Sequence, residues 1–267
     1  MTTSLERMFT RVREEDRAAL IAYLPAGFPS VKGSRKALDV LAQAGVDAIE
    51  IGFPYSDPVM DGPIIQAAAD ISLKLGTGAK EVFETLSYVN DLGLPCVVMT
   101  YWNPIERYGV EHFAKDISGF GGSGVITPDL TIEESSQWGI AARTSGINRI
   151  YVVAPSTSEK RLKSVVDQCS GFVYAASLMG VTGGRTTVST QARDLVDRIR
   201  SVSSLPIAVG LGVSTRGQAK EIAGYADGVI VGSAFIKVLL EAEDEASGLL
   251  KLRELADQLV AGVREGR

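Results

Sequence analysis

The chain is poor in the residues that most often carry nucleophilic and metal chemistry. It has one histidine, His112, among 267 residues, and two cysteines, Cys96 and Cys169, far apart and in no CxxC pair. Ser–His, Cys–His and His-rich metal mechanisms thereby lose their usual members. A lone histidine in VEHFAKD, on an expected helix, reads as a surface or core residue. The two isolated thiols fit a reducing cytosol. No apolar run approaches the roughly 20 residues a membrane span needs, and the first residues, MTTSLERMFTRVREEDR, lack the apolar core of a signal peptide. Positive charge is not in excess either. The net charge is −5 with no Lys/Arg cluster, which argues against nucleic-acid or anionic-membrane binding. No GxGxxG follows the first expected strand, so a dinucleotide-binding sheet has no support. Acid–base chemistry is left to carboxylates and tyrosines.

What is present is regular alternation. Apolar, β-favouring runs at 18–27, 46–52, 94–102, 123–130, 147–155, 171–180, 205–214 and 226–235 alternate with segments of helical spacing. An amphipathic helix over 4–13 precedes them, and two further helices, 63–75 and 79–92, are inserted after the second strand. A capping-box pair, Thr131 and Glu134, predicts a helix over 131–146. Eight such units could form an open doubly wound sheet or close on themselves. With no dinucleotide fingerprint, the expectation is an α/β fold, a (β/α)8 TIM barrel, with an extra N-terminal helix and inserted helices after strand two. No composition break suggests a linker, so residues 1–267 are expected to form one domain.

The stretch VDAIEIGFPYSDPVMDG, Val46 to Gly62, organises the expected site. A glutamate, Glu50, interrupts an apolar strand, where a carboxylate is costly unless paired or used. Lys and Arg are scarce in the other strand runs, which weakens a buried ion pair as its purpose. The loop beyond carries Asp57 and Asp61. Two acids in different environments can hold different protonation states. Asp129, at the end of strand four, is another acid at the barrel mouth or a turn residue; the sequence does not separate these. Glycines mark the exits of the last strands: VTGGRT, VGLGVS and VGSAF. In barrels these loops, with a short helix N-terminus, often bind phosphate, and small residues such as Gly210, Gly212, Gly232 and Ser233 let backbone N–H groups reach an anion. Phe53, Tyr101, Trp102 and Tyr174 fall near strand ends and could wall an apolar pocket or belong to the core; Tyr174 is the best candidate because a buried phenol needs a partner.

In order along the chain, DAIEIGFPYSDPVMDGPIIQ, TYWNPIERYG, MGVTGGRTT, VGLGVST and VGSAF resemble the tryptophan synthase alpha chain family, over about Ala22 to Phe235. The resemblance implies cleavage of indole-3-glycerol phosphate to indole and glyceraldehyde 3-phosphate, without cofactor or metal, in tryptophan biosynthesis. It implies that Glu50 is the catalytic acid/base and that Asp61 contacts the indole N–H. It matches Gly183, Gly210, Gly212, Gly232 and Ser233 to the phosphate-binding set and Tyr174 to the substrate-pocket tyrosine; Tyr101 joins the expected substrate-binding residues from its place near a strand end. It implies a PLP-dependent beta chain as partner in an α2β2 complex, with Pro54, Asp57 and Pro58 on the loop that touches it. Another barrel phosphosugar isomerase or synthase would share the glycine cradle but not the combination of EIGFPYSDP with DGP. A chain acting chiefly as activator of its beta partner is the other reading left open.

Overall fold

The structure is a computed structural model, and residues 2–176, 185–210 and 212–267 are described here. Among these residues nine parallel strands form one sheet: β1 (Ala19–Pro25), β2 (Ala48–Gly52), β3 (Cys96–Met99), β4 (Gly124–Ile126), β5 (Asn148–Ile150), β6 (Val152–Val153), β7 (Val173–Ala176), β8 (Ile207–Gly210) and β9 (Gly228–Val231). Their order is β5-β4-β3-β2-β1-β9-β8-β7-β6. The two edges, β5 and β6, are consecutive halves of one stretch of chain, interrupted at Tyr151. The sheet therefore curls round until its edges meet, and the expected eight-stranded barrel is what forms, with strand five split. The Tyr151 carbonyl still accepts the Tyr174 N–H at 3.3 Å across the seam.

The period of two in each strand divides the core into two layers. One set of side chains points outward against the surrounding helices. The other points inward: Ala19, Ile21, Ala48, Val97, Ile126, Ile150, Phe172, Ala208 and Ile230 form a separate cluster inside the barrel. The helix Ser4–Glu14 closes its lower end by adding Leu5, Met8, Phe9 and Val12 to that cluster. Its start is fixed by Thr3 and Glu6, which cap each other's backbone N–H groups. Glu50 shares the parity of Ala48, so the strand itself turns it inward.

Several boundaries differ from the sequence reading. The run expected as strand to residue 102 ends earlier, and a helix, Trp102–Tyr108, starts at its last residue. Pro104 is tolerated there because it falls in the first turn, where a backbone N–H has no intrahelical acceptor anyway. Both Asp129 oxygens accept the Trp102 N–H, at 3.0 and 3.1 Å, a cap supplied by a distant segment. Conversely the helix expected from Thr131 starts at Ser136. Thr131 hydrogen-bonds the Glu134 side chain rather than capping a helix, and the Ser135 hydroxyl donates to the Ile132 carbonyl, holding a separate turn. The last strand ends at Val231, and Gly232 opens the helix Ser233–Leu240. A helix, Arg185–Arg200, begins within the VTGGRT stretch expected as a strand exit. Among the described residues, no helix is long and apolar enough to cross a membrane.

Candidate active site

Among the described residues, three acids are buried: Asp47, Glu50 and Asp227. Two belong to the fold. Asp47 accepts from both terminal nitrogens of Arg17, each at 2.8 Å, and from the Leu20 N–H. Asp227 accepts from the Ile207 N–H and lies 3.2 Å from both Arg200 and Arg267. Glu50 is different. It is only 1% exposed, no cation pairs with it among the described residues, and its Oε2 has no hydrogen-bond partner. An ionised carboxylate there would be desolvated without compensation. Burial, and then the neighbouring Asp61, push the Glu50 carboxyl up to about 8. It is a neutral acid at pH 7.

Glu50 faces a cavity of about 200 Å³ at the upper mouth of the barrel. Asp61 lines it from the loop after β2, and Tyr23 and Tyr174 line it from β1 and β7. Met60, Ile65, Met99, Ile126, Val152 and Ile230 make its walls largely apolar, suited to a flat ring. Gly210, Gly212, Gly232 and Ser233 line the same cavity. Gly232 and Ser233 stand at the N-terminus of the helix Ser233–Leu240, whose free N–H groups and dipole favour an anion. Gly212 has φ +65°, a backbone conformation that disfavours any side chain. At Gly210 a Cβ would lie 2.4 Å from the Tyr174 hydroxyl, so glycine makes room for the phenol.

Asp61 is half-buried. Burial raises its carboxyl, and a hydrogen bond with Tyr101 works against that rise. Tyr101 does not line the cavity. It stands behind the loop, accepts the Met60 N–H at 3.1 Å and packs against Tyr55 with ring centroids 5.4 Å apart. It acts on the loop that presents Asp61 rather than on the open space. Of the other aromatics, Phe53 packs against Phe113 and Trp102 against the outer core, and neither is part of the lining. Asp129 is likewise outside it, occupied with the Trp102 cap. His112 is exposed on an outer helix.

Pro54, Asp57 and Pro58 sit on the loop above Glu50 but not in the cavity. Pro54 is buried, Asp57 is exposed with the Ser56 hydroxyl donating to it at 2.5 Å, and the adjacent Val59 is 74% exposed. Gly183 and the loop around it lie outside the described residues. No group of three or more His, Cys, Asp or Glu side chains that could hold a metal ion occurs among the described residues.

Tyr23 is a polar lining residue that sequence reasoning passed over, as it did the apolar walls. It lies in a plain apolar run, AALIAYLPAG, and only its register opposite Glu50 reveals it.

A parallel barrel with an unpaired buried acid, a second carboxylate and a glycine-lined helix N-terminus at its mouth belongs to the class of (β/α)8-barrel acid–base enzymes. Residues 9–264 match the family described as Tryptophan synthase alpha chain, and the chain belongs to that family. It is 53% identical over 255 residues to the tryptophan synthase alpha chain of Streptomyces avermitilis, covering 95% of this chain and 92% of that one. It is 49% identical to that of Mycobacterium marinum, covering 97% and 94%. Among solved structures, tryptophan synthase from M. tuberculosis in an open form superimposes with a TM-score of 0.90 at 45% identity, covering 99% of this chain and 100% of that chain. The Legionella pneumophila alpha subunit gives 0.89 at 28% identity, covering 98% and 99%.

Proposed function

We infer that this chain is the lyase subunit of tryptophan synthase and cleaves indole-3-glycerol phosphate to indole and glyceraldehyde 3-phosphate. The observation that carries the site assignment is Glu50, a buried acid without a cation, facing the same apolar cavity as Asp61 and the glycine-lined helix N-terminus. The reaction is a retro-aldol cleavage at indole C3. Neutral Glu50 donates its proton to C3, leaving an indoleninium cation. The resulting carboxylate then accepts the proton of the hydroxyl on the adjoining side-chain carbon. As that O–H is lost the carbon–carbon bond breaks, its electron pair returns to the ring, and an aldehyde and indole leave. Glu50 ends protonated, as it began. Asp61, more open to solvent and with a phenol donor in Tyr101, holds the negative charge of the pair and offsets positive charge at the ring nitrogen.

Gly210, Gly212, Gly232 and Ser233 bind the phosphate, and this remote binding energy positions C3 against Glu50. Ser233→Ala is expected to raise KM about tenfold with little change in kcat, the loss of one hydrogen bond to a charged group. Steady-state kinetics with indole-3-glycerol phosphate check this; an unchanged KM would remove Ser233 from the cradle. The apolar wall supports this reading over an isomerase of simple sugar phosphates, whose substrate carries no flat aromatic ring to occupy it.

The partner is a PLP-dependent beta chain, in an α2β2 assembly, and the loop with Pro54, Asp57, Pro58 and exposed Val59 meets it. An exposed valine on a loop tied back through Met60 to Tyr101 supports that role, because contact there is transmitted to Asp61. The compartment is the reducing cytoplasm, in keeping with two buried free thiols.

A further inference from the structure

The reaction above leaves one charge without an evident partner. When Glu50 gives up its proton it becomes a carboxylate enclosed by protein, and its Oε2 has no donor among the described residues. The ionisable groups facing it can be named from each packed element: Tyr23 on β1, Cys96 on β3, Tyr174 on β7 and Asp61 on the loop. Asp61 is of the wrong sign. Cys96 is a weak donor, and its thiol lies against the Val97 carbonyl at 3.8 Å. The two phenols remain.

Tyr23 is the direct cross-strand neighbour of Glu50 in the β1–β2 ladder. Its ring is held on both sides: a Cβ at Gly52 would lie 2.2 Å from its hydroxyl, and one at Gly232 would lie 2.9 Å from its Cδ1. Two glycines thus clear a slot in which the phenol lies beside β2, at the cavity that Glu50 and Asp61 share. The residue is only 6% exposed. Burial first, then Asp61 and Glu50, hold the phenol well above its ordinary range. Tyr174, by contrast, is turned towards β8, its hydroxyl against Gly210.

We propose that Tyr23 is a positioning residue for the cleavage, its hydroxyl donating the hydrogen bond that stabilises the Glu50 carboxylate formed on proton transfer to the substrate. This rests on the assignment of Glu50 as the acid. The donor matters only while Glu50 is ionised, so its contribution is to the transition state and not to substrate binding.

Tyr23→Phe keeps the ring in its slot and removes only the hydroxyl. The expected result is a kcat about tenfold lower with KM within twofold. The basic limb of the kcat–pH profile should also move to higher pH, because an ionised Glu50 without its donor forms less readily. A merely structural role would not move that limb. Tyr174→Phe, measured in parallel, should leave the limb in place. An unchanged kcat and limb in Tyr23→Phe would overturn the proposal, as would a limb that moves with Tyr174→Phe instead. A fall in kcat with an unmoved limb would overturn it too. Glu50→Gln separates the two levels: if that variant turns over normally the acid assignment itself fails, whereas its inactivity beside an unaffected Tyr23→Phe rejects only the role of Tyr23.

Discussion

Replacing Glu50 with glutamine should abolish indole release while making the protein more stable. Glutamine has the same shape and fills the same inward position on β2, so the barrel and the phosphate cradle are kept. It can neither donate a proton to C3 nor accept one from the side-chain hydroxyl. Both halves of the acid–base cycle are lost, and kcat should fall by at least about 10³-fold, near or beyond the upper part of the range for general acid–base catalysis. The stability change follows from the raised carboxyl. A group whose folded value stands at about 8 against an ordinary 4.5 costs nothing below about pH 4.5. Between there and 8 the native state keeps a proton that the unfolded chain gives up, so wild-type stability falls as pH rises. Above 8 the native state carries a buried charge and the cost levels off, on the order of 5 kcal/mol. Glutamine carries no such cost. Urea unfolding of both proteins at pH 5 and pH 9 should show a small gap at the first and a large one at the second, in favour of Glu50→Gln. Equal stabilities at pH 9 would mean that Glu50 is not a buried neutral acid; a variant with near-normal turnover would mean that it is not the catalyst. A residue that destabilises the fold and is essential to the chemistry is what a functional buried acid looks like.

The second large effect is expected at Asp61. Asp61→Asn preserves size and the contact with Tyr101 but removes the negative charge that the proposed mechanism sets against the ring nitrogen. The indoleninium cation then forms against a neutral amide in a low-dielectric cavity, and kcat should fall by roughly 10²-fold. Affinity for glycerol 3-phosphate should hardly change, because the reading proposed above gives that part of the substrate to Gly210, Gly212, Gly232 and Ser233 and not to Asp61. There is a diagnostic consequence for Glu50. Asp61 is the second cause of its raised carboxyl, after burial, so Asp61→Asn should lower it and shift the basic limb of the residual activity to lower pH. Isothermal titration with glycerol 3-phosphate and a pH–rate profile check both parts. A parallel loss of phosphate affinity would make Asp61 a structural residue of its loop instead.

The features legible in the sequence were those held within one short stretch. Glu50 is conspicuous because it breaks an apolar strand, and its inward direction follows from the parity of its neighbours. The glycine exits of β8 and β9 are visible as local composition. Tyr23, Tyr101 and Asp129 were not assignable in the same way, because each depends on a partner brought in by the barrel. Tyr23 matters through its register against Glu50 and the gap left by Gly52 and Gly232. Tyr101, near a strand end, reads as pocket wall, yet its hydroxyl holds the loop of Met60 and Asp61 from behind. Asp129 reads equally as an acid of the mouth or a turn residue, and it caps a helix 27 residues earlier in the chain. That same cap is why the sequence does not announce the helix Trp102–Tyr108: its N-terminus is completed by a side chain no local pattern contains. The split of strand five at Tyr151 also escapes a local reading, since it arises where the two edges of the sheet close.

The most direct test of the central claim is the indole released from indole-3-glycerol phosphate by the purified chain, alone and titrated with a tryptophan synthase beta chain. The account predicts slow release by the chain alone, rising as the partner is added and saturating at one equivalent. No release in either case, from a chain that binds glycerol 3-phosphate and unfolds cooperatively, would contradict it.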